Sequence, residues 1–141
     1  MAVTDFAAGQ ERGWSASVRR AMRPVLWIGV VFNALVAMML LFPWAFGAAL
    51  PPIGSVFYLW MLVYFVALFS ATYAWLALQP HISRPVVGLA ALGKLGVFVV
   101  SLACLVRGDI PPRTFLVAVA DLVFALYFLA WLRASGHATT D

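Results

Sequence analysis

PVVGLAALGKLGVFVVSLACLV, residues 85–106, and RTFLVAVADLVFALYFLAWL, residues 113–132, decide the fold. A helix needs about 20 mostly apolar residues to cross the hydrocarbon of a bilayer, and both stretches qualify. Each is interrupted near its middle by one charge, Lys94 in the first and Asp121 in the second. A lone charge at mid-bilayer costs roughly 2.5–3.5 kcal/mol on insertion scales. Opposite signs at matching depth make the two residues natural partners.

The rest of the chain fits a lipid solvent. Of 141 residues, 65% are hydrophobic and 10% are charged, with a mean hydropathy of +1.01. Soluble domains are about 45–50% apolar and about 25% charged. A domain this small buries only about two-thirds of its unfolded surface, so a core cannot hide the excess. Four spans follow, at residues 24–42, 55–78, 85–106 and 112–133. All eight prolines are expected at their boundaries: Pro24, Pro43, Pro51, Pro52, Pro80, Pro85, Pro111 and Pro112. Proline lacks an N–H donor and suits the first helical turn. Short loops make consecutive helices antiparallel neighbours. The expected fold is all-α, an integral-membrane, up-down-up-down bundle of four transmembrane helices over 24–133. A flexible N-terminus (1–9), an amphipathic cytoplasmic segment (10–23) and a cytoplasmic tail (134–141) complete the chain.

Charge sets the orientation. Arg12, Arg19, Arg20, Arg23, Arg84 and Arg133 fall on one side of the spans, and Arg107 and Arg113 on the other. The positive-inside rule then places both termini in the cytoplasm. The net charge of +4 therefore reports topology, and no nucleic-acid partner is expected. Trp27, Trp75 and Trp131 gather towards the inner interface, and Trp44, Tyr58 and Trp60 towards the outer one, as in aromatic belts. The first apolar run, about 18 residues, is longer than a signal-peptide core of about 7–15, so cleavage is not expected. No lipidation motif is visible. Within 10–23, Trp14, Val18 and Met22 recur every four residues between arginines, which suits a helix lying on the anionic inner leaflet. A basic tail that only sets topology is the alternative.

Depth selects the candidate site. Lys94 and Asn33 each lie nine residues from the inner end of their span, about 13 Å deep at 1.5 Å per residue. Asp121 lies nine residues from Pro112 at the outer end of the fourth span. Ser70 and Tyr73 stand on the second span near the same level. The stripes Gly29–Asn33–Ala37, Ala90–Lys94–Ser101 and Ala118–Asp121–Ala125 put small residues beside the polar ones, so these faces turn inward. The candidate ligand or proton site is thus Lys94, Asp121, Asn33, Tyr73 and Ser70. The alternative is a structural staple, because desolvation offsets much of a buried ion pair's attraction. For Asn33 and Ser70 the alternative is glue between helices.

Several chemistries lack their residues. No His/Cys/Asp/Glu set has metal spacing, and no cofactor is expected. His81 and His137 fall in a loop and the tail. Cys104 has no basic partner at its depth, and no Ser/His/Asp set or phosphate loop is present.

Asn33, Tyr73, Gln79-Pro80, Arg84-Pro85, Gly93-Lys94, Asp121 and Phe124-Ala125 together resemble a family of small bacterial four-helix inner-membrane proteins that has no assigned chemistry. The arrangement is also similar to DoxX-like proteins, some of them linked to redox complexes. The resemblance implies the four-helix fold and the polar positions. Small multidrug transporters differ in needing a first-span glutamate, and glutathione-type membrane enzymes in their arginine and glutamate set.

Three functional readings follow. The first is binding or movement of a small lipophilic or quinone-like ligand, or a proton, at the Lys94–Asp121 layer. The second is an accessory subunit of a larger membrane complex, docked through the aromatic second span with a purely structural ion pair; a homo-oligomer is the other partner the chain could form. The third is a membrane isomerase or cyclase with Asp121 as general acid, which requires an unpaired carboxyl.

Overall fold

The computed structural model describes the backbone of residues 2–47 and 55–136, with side chains from Ser17 onward except Arg19. The described residues form four long helices: α1 (Ala2–Leu41), α2 (Val56–Leu78), α3 (Arg84–Val106) and α4 (Pro112–Gly136). All four contain a stretch long and apolar enough to cross a membrane, starting at Arg20 in α1. Only 17–28% of each apolar window is buried within the chain. The remaining faces carry Ile28, Leu35, Phe57, Trp60, Leu92, Val100, Leu116 and Leu126 into the surroundings, an apolar surface of the kind that meets a membrane or a partner protein.

The helix ends follow local chemistry. Pro85 occupies the first turn of α3 and Pro112 opens α4, where a missing N–H costs nothing. After α1 a 3-10 turn, Pro43–Phe46, is closed by Gly47 at φ 58°. Gly108, at φ 78°, turns the chain between α3 and α4. A side chain at either glycine would be strained in this left-handed region.

Pro24 departs from the expected pattern. It lies inside α1 instead of at its start. The helix continues through it because only the Arg20 carbonyl loses its partner, and that carbonyl sits at the mouth of the span. One helix therefore runs from Ala2 through the segments expected to be flexible and amphipathic. Val18 and Met22, expected to face lipid headgroups, are buried in the bundle core. The Tyr127 hydroxyl donates to the Val18 carbonyl at 2.9 Å and holds this turn against α4. Trp131, expected in an interfacial belt, is also in the core at 6% exposure. The expectations for Trp14, Pro51, Pro52, His137 and the tail from 137 onward fall outside the described residues or side chains.

Helix pairing is uneven. α1 packs along α2, α3 along α4, and α1 also meets α4, whereas α2 and α3 approach each other far less closely. Ser70 Oγ donates to the Val30 carbonyl at 3.0 Å. Arg23 reaches the Gln79 and Pro80 carbonyls at 3.0 and 3.1 Å, and Arg84 reaches the Leu132 carbonyl at 3.0 Å. These arginines cover carbonyls near the ends of α2 and α4, where the helix dipole favours cations. The core cluster, including Met22, Leu26, Tyr73, Leu76, Val87, Phe128 and Trp131, fills the arginine-rich half of the bundle. The other half, which also buries Leu40 and Val63, holds a cavity.

Candidate functional site

Lys94 and Asp121 stand where the packed half ends. Lys94 is carried by α3 with buried Ala90 and Ala91 before it. Asp121 is carried by α4 between buried Ala118 and Ala125. These small neighbours let the helices close around the charges. The Lys94 ammonium donates to Asp121 Oδ1 in a salt bridge. It donates also to Asn33 Oδ1 at 2.8 Å, so α1 joins the pair.

Aromatic rings complete the cage. The ammonium lies 4.8 Å from the Phe32 ring centroid, 5.4 Å from that of Phe124 and 5.9 Å from that of Tyr73. A cation within about 6 Å of a ring face is attracted by its quadrupole, more strongly when desolvated. The ammonium thus has one carboxylate, one amide oxygen and three rings. This shell explains how a lysine can be held at 7% exposure in an apolar helix.

Tyr73 is wedged rather than bonded. Its ring lies so close to Gly29 that a Cβ there would approach Cδ2 to 3.0 Å. It packs against Phe128 at 5.8 Å between centroids. Its hydroxyl is buried and has no hydrogen-bond partner within the chain. Such a group normally costs about 1–3 kcal/mol.

A cavity of about 310 Å³ opens beside the pair, lined from all four helices. Val36 and Met39 of α1, Leu62 and Val66 of α2, and Val97 of α3 make its walls apolar. Asn33, Tyr73, Lys94 and Asp121 form its polar end. The Lys94 and Asp121 side chains keep 9% and 8% exposure. Phe69 of α2 lies against Gly93 of α3, where an added Cβ would come within 3.3 Å. Beyond that contact, the loose α2–α3 seam borders the cavity. The volume falls at the lower end of the range for small-molecule sites, about 300–1,000 Å³.

Of the candidate residues, Lys94, Asp121, Asn33 and Tyr73 come together at the cavity. Ser70 does not. Its hydroxyl ties α2 to the Val30 carbonyl, the glue role open to it from the sequence. Phe32 and Phe124 were missed, although the position of Phe32 next to Asn33 and of Phe124 three residues beyond Asp121 places both near the layer. Among the described residues, no three His, Cys, Asp or Glu side chains are grouped to hold a metal. No protein-family model, curated protein or solved structure matches the chain.

Proposed function

We propose that this chain is a multi-pass protein of a bacterial inner membrane, with both termini cytoplasmic and four up-down-up-down crossings. It binds a small lipophilic ligand carrying one polar group, of which a quinone is the type. The observation that carries this reading is the apolar cavity that ends on the buried Lys94–Asp121 pair. A purely structural staple needs no adjoining space. The ligand's apolar body would lie among Val36, Leu62, Val66 and Val97. Its polar atom would meet Lys94 or Asp121, and the loose α2–α3 seam offers a lateral path from lipid. Asp121 is the proton-exchanging member in this reading, and Lys94 its counter-ion. Since Lys94 engages the Asp121 carboxyl, a general-acid role is less well supported.

The test is a thermal-shift titration of the purified protein with decyl benzoquinone, alongside Val97→Trp, which fills the cavity from its wall. A rise in Tm for the native chain, absent in Val97→Trp, is expected. No rise, or an equal rise in both, would contradict a ligand in this cavity.

A second reading rests on the aromatic face of α2. Phe57, Tyr58, Trp60, Tyr64, Phe65 and Trp75 are all exposed, and they would suit docking as an accessory subunit.

A further inference from the structure

A second cavity, of about 490 Å³, lies at the arginine-rich end of the bundle, on the far side of the packed core. Arg20 and Arg23 of α1, His81 of the α2–α3 turn, Arg84 of α3, and Trp131 and Ser135 of α4 line it. We propose that this cavity binds a phosphate-bearing anion.

Three features separate it from a scatter of topology-setting charges. First, two of the three guanidinium groups are held in place by neutral acceptors. Arg23 bonds the Gln79 and Pro80 carbonyls, and Arg84 bonds the Leu132 carbonyl. In both, one terminal nitrogen makes these bonds, and a guanidinium has five donors. Their charge is therefore positioned, and no acidic side chain among the described residues neutralises it. The acidic side chains described in the structure lie elsewhere, Asp121 with Lys94 and Asp109 with Arg107.

Second, the Ser135 hydroxyl oxygen is buried at this cavity and has no hydrogen-bond partner within the chain. A buried donor without an acceptor is costly, and an oxyanion in the cavity would supply the acceptor. Third, Arg84 is the first residue of α3, and the preceding Ser83 makes no side-chain capping bond. Pro85 has no N–H to satisfy, but the positive end of the helix dipole is left facing this region. Two fixed guanidinium forks, a hydroxyl donor and a helix N-terminus together make an oxyanion site, and phosphate is the oxyanion that lipid headgroups present at this level. The cavity sits at the end of the apolar spans, where lipid phosphates lie. A soluble phosphate compound presents the same chemistry.

The test uses the full chain, delipidated in dodecylmaltoside, as wild type and as Arg20→Gln/Ser135→Ala. Arg20 is exposed and Ser135 Oγ bonds nothing within the chain, so this double variant should fold. Thermal shift and native mass spectrometry are read with phosphatidylglycerol. Sodium phosphate is compared with sodium chloride at equal ionic strength. Wild type should bind at least one probe, and the double variant should bind it about tenfold more weakly, the effect of losing a charge-assisted bond. A response to phosphatidylglycerol alone assigns the site to a lipid headgroup. A response to inorganic phosphate as well assigns it to a soluble phosphate ligand. No response to either probe, or equal affinity in the double variant, would overturn the proposal. Neither result bears on the quinone titration, which probes the opposite end of the core.

Discussion

The Lys94 ammonium and the Asp121 carboxylate meet at the boundary between the main packed core and the cavity. The pair closes the α3–α4 contact and is also the polar end of the cavity. Its structural and ligand-binding roles can be separated by substitution.

Removing one partner leaves a buried charge alone. Lys94→Met and Asp121→Leu should each lose roughly 3–5 kcal/mol of stability, the usual cost of breaking a buried pair. The double variant should recover most of that loss. Unfolding in mixed dodecyl sulfate–maltoside micelles measures both. Additive losses in the double variant would show that the two side chains are not energetically coupled.

Asn33 supplies the second oxygen to the ammonium, at 2.8 Å. Asn33→Leu should cost about 1–3 kcal/mol, as for a hydrogen bond to a charged group. In the Lys94→Met background the same substitution should cost far less. An undiminished cost there would mean that Asn33 serves another partner.

Glycine positions give a steric contrast. Gly29→Ala would push a methyl against the fully buried Tyr73 ring, at 3.0 Å, and should destabilise by about 1–3 kcal/mol. A methyl group added at Gly96 would meet no neighbouring side chain or helix within 4 Å. Gly96→Ala should therefore be neutral or gain up to about 1 kcal/mol from helix propensity. Equal effects on unfolding at the two sites would contradict the packing described.

Tyr73→Phe deletes a buried hydroxyl with no partner in the chain. The ligand-free protein should keep or gain stability, by about 1 kcal/mol at most. Ser70→Ala should cost about 0.6 kcal/mol, typical of a polar contact between membrane helices, and leave quinone binding unchanged. A loss of binding in Ser70→Ala would return that residue to the site.

Much of the architecture was legible in the sequence because lipid imposes length and apolarity. The four spans, and Lys94 with Asp121 as buried polar positions, follow from those constraints. Burial within the bundle was harder to read. Lipid and protein core are equally apolar, so nothing in FYLWMLVYFVALF shows which side chains face inward. Trp131 illustrates the ambiguity, since tryptophan suits both an interfacial belt and a core. Pro24 misled because proline is tolerated inside a helix when the freed carbonyl is near water. The cavities were illegible because empty space arises from how helices diverge, as α2 and α3 do.

The measurement that bears most directly on the central claim is decyl benzoquinone affinity in the Lys94→Met/Asp121→Leu double variant, reconstituted in nanodiscs. The expected result is a folded bundle that binds the quinone at least about tenfold more weakly than wild type, equivalent to about 1.4 kcal/mol. A folded double variant with wild-type affinity would contradict the claim and leave the ion pair as a fastening between α3 and α4.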